Sequence, residues 1–268
     1  MSLNSSLHST QVWLHCAQLL KNKDPLRLSR RSVIGVIGLI LAVLSARPAA
    51  GQIGGPTYES REISGWELNI DRQLLSQYSS ETLTAARLLK AQLDEIQNVV
   101  PAKVVMRLRR VRLWFSMPYV GQTPRAEYHP GRAWLVEHGR NPDMEKGIEF
   151  SNILNFDKET RRMPNFALHE LAHAYHHQVL ASGYDNQIVQ QAFERIKNDG
   201  RYAIVERVDS SGNKSLGPAY ALTSPQEYFA ESTEAFFSRN DFFPFDRRQL
   251  LDFDPETCEL ISRLWQVE

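Results

Sequence analysis

A chain of 268 residues with 31 basic and 31 acidic side chains is long enough for one large domain or two small ones, and its apolar content with five Trp excludes a disordered polymer. The charge balance is uneven. Residues 1–50 hold Lys21, Lys23, Arg27, Arg30, Arg31 and Arg47 against Asp24 alone, so the remainder is mildly acidic, which argues against nucleic acid as the main partner.

Taken in order, residues 1–31 are polar and basic and end in Ser29-Arg30-Arg31. An apolar run of 12 residues, Val33–Leu44, follows, then the small residues of Ser45–Gly51. That order describes an export signal with cleavage near Ala50. The run is short of the about 20 residues that span a bilayer, so any membrane contact comes through an uncleaved leader. Residues 51–268 are then expected to form a single domain. Cys16 lies in the leader, which leaves Cys258 alone afterwards, with no internal disulfide and no cysteine-based metal site.

After a Gly-rich linker, Trp66–Ile70 alternates as a strand. Ser80–Val100 carries a helical apolar stripe at Leu83, Ala86, Leu89, Leu93 and Ile96, closed by Pro101. Val111–Phe115 reads as a strand, with Arg107, Arg109, Arg110 and Arg112 as its solvated side. Pro118–Pro130 reads as a loop. Ala133–Val136 and Gly147–Phe156 are further strand candidates, the second as the edge strand beside the site.

Asn165–Leu180 contains neither Pro nor Gly, with Pro164 before it and Gly183 after it, and is expected to be a helix. It carries His169-Glu170-Leu171-Ala172-His173. On a helix, positions i and i+4 share a face, so both imidazoles can reach one ion. Glu170 lies about 100° around the axis, free to face a water beside that ion without being a ligand. This is the H-E-x-x-H pattern of zinc hydrolases. His176 and His177 are read as surface or supporting residues. Downstream, Ile188–Lys197 reads as a short helix, Tyr202–Val208 as a strand and Ser210–Asn213 as a turn. Pro255–Trp265 closes the chain as a packing helix.

A catalytic zinc needs three protein ligands and one open position. A third His six residues past the second, after a Gly, would need Gly at 176 and His at 179. The chain has His176 and Val179, which excludes that arrangement. A carboxylate from the helix opened by Ser224-Pro225 remains, with Glu227, Glu231 and Glu234 along it. Glu227 and Glu231 share a face at i and i+4, which suits one ligand and one acceptor that orients a ligating imidazole. Ser224-x-x-Glu227 is also a capping box, and a Glu227 occupied there would make Glu231 the better ligand.

His169–His173 followed by Tyr220, Glu227-Tyr228-Phe229-Ala230 and Glu231 resembles the catalytic domain of the anthrax lethal factor class of zinc metallopeptidases. The resemblance is strongest over 164–245, and 57–268 looks more loosely like a group of exported bacterial proteins. It implies an α+β, zincin-like fold in which a small mixed sheet packs on the active-site helix, with a C-terminal helical part. It implies that His169, His173 and Glu227 bind Zn²⁺, that Glu170 is the general base and that Tyr220 assists the tetrahedral intermediate. The Glu227-x-x-x-Glu231 spacing resembles that of thermolysin-like enzymes, which implies that Glu231 holds a ligand His. The run departs from lethal factor at Ser232-Thr233-Glu234. The expected function is an exported zinc peptidase acting on a peptide or protein. The alternatives are a non-catalytic binding protein stapled by zinc, or a metal-free envelope protein. A staple would need neither Glu170 nor Tyr220.

Overall fold

The computed structural model describes residues 57–267; the leader reading over 1–50 lies outside them. The chain begins with an antiparallel hairpin, β1 (Tyr58–Ile63) and β2 (Trp66–Asp71), followed by helices α1 (Arg72–Gln77), α2 (Ser79–Val99) and α3 (Ala102–Leu108). Strand β3 (Leu113–Phe115), strand β4 (Ala126–Tyr128), helix α4 (Arg132–Glu137) and strand β5 (Ile148–Phe150) come next. Then follow α5 (Phe156–Arg162), α6 (Phe166–Gln178) and α7 (Gln187–Asp199). A second hairpin, β6 (Val205–Val208) and β7 (Lys214–Gly217), precedes α8 (Pro225–Phe237), α9 (Arg247–Phe253) and α10 (Pro255–Leu264). None of the described helices is long and apolar enough to cross a membrane.

The fold is mixed α and β, with a five-stranded sheet in the order β1-β2-β3-β5-β4. Pairing is parallel for β2–β3 and β3–β5 and antiparallel for β1–β2 and β4–β5. Because side chains alternate across a strand, the register stacks Leu68, Leu113 and Ile148 in one row, and Ile70, Phe115 and Phe150 in the next. Both rows join the main core with α2 and α6. The opposite face carries Trp114, which packs with Leu135 and Met144 under α4.

Helix α6 is buried from Phe166 to His176, so nearly its whole circumference is walled by other elements. Its start is pinned: Asn165 Oδ1 accepts from the Leu168 N–H at 3.1 Å, and Gln92 Oε1 of α2 accepts from the Ala167 N–H at 3.0 Å. On its far side Tyr175 stacks on Trp265 at 4.3 Å and on Phe229 at 6.5 Å, locking α6, α8 and the residue after α10 together. The Trp265 indole also donates to Thr233 Oγ1 at 2.9 Å, in keeping with a packing role for the C-terminal helix.

Several local expectations are corrected. Ala133–Val136 is helix, not strand: only Leu135 of its apolar residues is buried, a one-sided pattern that a single helical turn satisfies. The basic run belongs partly to α3, which starts directly after Pro101. Gly147–Phe156 is strand only over β5, which lies inside the sheet between β3 and β4. The edge strand beside α6 is β4, within the stretch expected to be loop, with β1 at the other edge of the sheet; Pro124 and Pro130 flank β4. The sequence does not announce β1, α1, α5, β7 or α9; β6 begins at Val205, and the turn expected over 210–213 leads from β6 into β7.

Candidate metal centre

Helices α6 and α8 pack side by side and bring three donor atoms together. His169 Nε2 lies 3.1 Å from Glu227 Oε2 and 3.1 Å from His173 Nε2, and His173 Nε2 lies 3.5 Å from Glu227 Oε2. Three donors on a tetrahedral cation, at bond lengths of about 2.0–2.1 Å, stand roughly 3.3–3.4 Å apart. The observed triangle has that size. His169 Nδ1 rests against Glu234 Oε1; when that carboxylate is ionised it can only accept, so the Nδ1 proton is directed to it and Nε2 is left facing Glu227 and His173. With Nδ1 protonated, the close approach of Nε2 to Glu227 calls for a positive charge between them, supplied by a second ring proton or by a cation in its place. His169, His173 and Glu227 therefore fit a metal ion, by donor type as well as distance.

The local sequence explains why Glu227 is available. Ser224 Oγ caps α8 by accepting from the Glu227 N–H at 3.2 Å. The Glu227 side chain does not complete the reciprocal box and turns to the imidazoles instead. Burial would push its carboxyl up, but the two histidines outweigh that and hold it well below the usual carboxylate range.

Glu231 is not the acceptor that orients His169. Its Oε1 lies 3.8 Å from Nδ1, beyond hydrogen-bond range, while its Oε2 accepts from Asn240 Nδ2 at 3.1 Å. Glu234 takes that role. His169, Glu231 and Glu234 also come close as a group, but there the imidazole offers the protonated Nδ1, which serves to hold the ring. Burial and the charge of Glu234 push the Glu231 carboxyl well above its ordinary value, and burial lifts Glu234 to about 7 against the pull of His169. For His169, burial opposes protonation, but Glu234 and Glu227 outweigh it and raise the imidazole well above its ordinary value.

Glu170 is buried next to the triangle, and its Oε2 accepts from the Tyr128 backbone N–H of β4 at 2.8 Å. Tyr220 sits at the cleft surface, 45% exposed, its ring stacked at 6.4 Å on Phe242. Burial, with the nearby Glu227 charge, raises its phenol, which keeps it a donor at neutral pH. Two cavities meet at His169, Glu170, Tyr220 and Ala126. The first, about 340 Å³, is floored by Met163, Phe166 and Phe242, with Arg207 in its wall. The second, about 390 Å³, adds His173, Tyr184 and Glu227.

Of the surface-or-supporting reading of His176 and His177, the surface half does not hold. His176 is fully buried between Tyr184 and Phe229, and neither ring nitrogen has a partner among the described residues. Burial pushes its imidazole down to about 4. His177 Nδ1 lies 2.8 Å from the Tyr128 hydroxyl and its ring stacks on Tyr184. The sequence reading missed Tyr128 altogether. Its signal was the short alternation Ala126-Glu127-Tyr128-His129 between two prolines, which suits an exposed sheet edge.

No protein-family model matches the chain, and no curated protein matches it. Among solved structures, the Pro-Pro endopeptidase PPEP-2 of Paenibacillus alvei aligns at a distance. The match covers 68% of this chain and 90% of that one, with 18% identity and a TM-score of 0.39.

Proposed function

We propose that this protein is an exported zinc-dependent metallopeptidase with a zincin-like catalytic domain over residues 51–268. The observation that carries the reading is the His169–His173–Glu227 triangle, with edges of 3.1–3.5 Å, opening on a cleft beside a buried glutamate. Zinc held there would supply a Lewis acid that polarises a carbonyl and makes water easier to deprotonate. The rest falls to the chain. Glu170, with one oxygen tied to the strand, takes the proton of the attacking water on the other and passes it to the leaving nitrogen. Tyr220 donates a hydrogen bond to the oxygen on which charge develops. Glu234 fixes the tautomer of His169. The peptide lies along β4, where Ala126 faces both cavities, and adds to the sheet edge as a strand. Export rests on the basic and apolar leader.

The test is direct. Purified protein should bind one Zn²⁺ per chain, and His169→Ala should abolish binding. Glu170→Gln should keep the metal and lose turnover against a peptide library. Full activity in Glu170→Gln would dismiss the general-base role.

A further inference from the structure

Strand β4 is three residues long and pairs on one side only. Its ladder is continued by the His129 N–H donating to Gly147 O at 3.0 Å and the Ser151 N–H donating to Arg125 O at 2.9 Å, so its outer edge is left to side chains. Its side chains alternate between two very different anchors. Tyr128 faces α6: its N–H bonds Glu170, and its hydroxyl lies 2.8 Å from His177 Nδ1 and accepts from Gln178 Nε2 at 3.0 Å. Its neighbours Glu127 and His129 face the opposite side of the sheet, under α4. There Arg140 Nη1 donates to Glu127 Oε2 at 2.8 Å and to Glu149 Oε2 at 2.6 Å. His129 Nε2 lies 2.9 Å from the same Glu149 oxygen, and the Tyr119 hydroxyl donates to Glu149 Oε1 at 2.6 Å. The Arg140 guanidinium also stacks 4.3 Å over the Tyr119 ring.

Glu149 is fully buried and Arg140 nearly so. Burial would raise the Glu149 carboxyl, but His129 and Tyr119 outweigh it and bring it to about 2. A buried ion pair is a poor source of net stability, since apolar residues of similar volume often do as well or better. Its value lies in geometry: both neighbours of Tyr128 are gripped from one side while Tyr128 is tied to α6 on the other.

We infer that the buried Arg140–Glu149 pair is a positioning device for Glu170, acting through the backbone of β4, which it holds at the one place where the strand's N–H anchors the glutamate. The catalytic consequence rests on Glu170 being the general base; the mechanical link does not. A carboxylate displaced by about 1 Å can cost on the order of 10²-fold in rate.

The experiment uses the full-length zinc-loaded protein and reads two things, amide exchange at Tyr128 and the split between kcat and KM. Glu170→Ala should speed Tyr128 exchange about tenfold, the worth of one buried hydrogen bond, and leave the β5 amides unchanged. Arg140→Met should also speed Tyr128 exchange. It should lower kcat about 10- to 100-fold with KM within about threefold and zinc retained, and Arg140→Lys should recover part of both losses. Should Arg140→Met fail to fold, Glu127→Gln, which loosens one grip at the partly exposed end, should show the same changes in smaller measure. A folded Arg140→Met or Glu127→Gln with wild-type Tyr128 exchange and wild-type kcat overturns the inference. Faster Tyr128 exchange in Arg140→Met together with an active Glu170→Gln would keep the link and reject the catalytic reading.

Discussion

The orientation of His169 offers the sharpest test, because the two acids near it are expected to behave differently. Glu234 Oε1 receives the His169 Nδ1 proton, whereas Glu231 Oε1 is 3.8 Å away and engaged elsewhere through Oε2. Removing the partner of a ligating imidazole typically costs about 10- to 100-fold in metal affinity, roughly 1.4–2.7 kcal/mol. Glu234→Leu deletes the acceptor and should weaken zinc about 100-fold. Glu234→Gln keeps an oxygen for Nδ1 but loses the charge, so about tenfold is expected. Its new amide N–H₂ would stand where Glu234 Oε2 has no partner among the described residues. That should lower stability by about 1–3 kcal/mol with and without metal, leaving the affinity ratio untouched. Glu231→Gln should stay within about threefold of wild type, since a contact at this distance is no hydrogen bond. Competition with a chromophoric zinc chelator near neutral pH measures all three, with urea unfolding of the metal-free proteins as the stability control. Equal weakening by Glu231→Gln and Glu234→Gln, or unchanged affinity in Glu234→Leu, would refute the reasoning.

Tyr220→Phe should retain zinc and lower kcat on the order of 10²- to 10³-fold, measured on any peptide the wild type cleaves. A loss confined to KM would reassign the hydroxyl to substrate binding. Acid should unfold the protein in two windows. His176 titrates at about 4 in the fold against 6.5 unfolded, so the unfolded chain binds the extra proton first and about 3 kcal/mol is lost as pH falls from 6.5 to 4. Glu149, at about 2 against 4.5, contributes about 3 kcal/mol that is complete above 4.5 and lost towards 2. Urea unfolding across pH should show the first slope vanish in His176→Phe; a slope that persists would place its origin elsewhere. Trp265→Ala should cost about 3–5 kcal/mol by emptying the stack on Tyr175 and Phe229. Zinc affinity of the folded fraction should stay near wild type, and a loss below about 1 kcal/mol would mean the stack is not a structural joint.

The legible parts of this chain were those governed by neighbours a few residues away. The i, i+4 spacing of His169 and His173 needs only a helix to put both rings on one side, and the residues from Asn165 onward form one by their own propensity and cap. Ser224-Pro225 marks the start of α8 for the same local reason. Short apolar runs were not legible. Four residues such as Ala133–Val136 fit a strand or one helical turn equally well, and α4 took the form that buries Leu135 against Trp114 and Met144.

The choice between Glu231 and Glu234 shows where local argument stops. Around a helix of about 100° per residue, Glu231 stands roughly 40° from Glu227 on one side and Glu234 roughly 20° on the other. Angle alone could admit either. The packing of α6 against α8 decided it by setting which carboxylate stands behind the His169 ring. The same holds for the sheet edge: β4 and β5 are both three-residue strands, and only the strand order put β4 outside, its Tyr128 N–H free for Glu170. Sequence by itself determined the candidate donors and the helices that present them, because a helix converts spacing into direction. The tertiary structure alone decided which distant partners hold those donors still, because residues 42 or 65 positions apart meet only after the chain has packed.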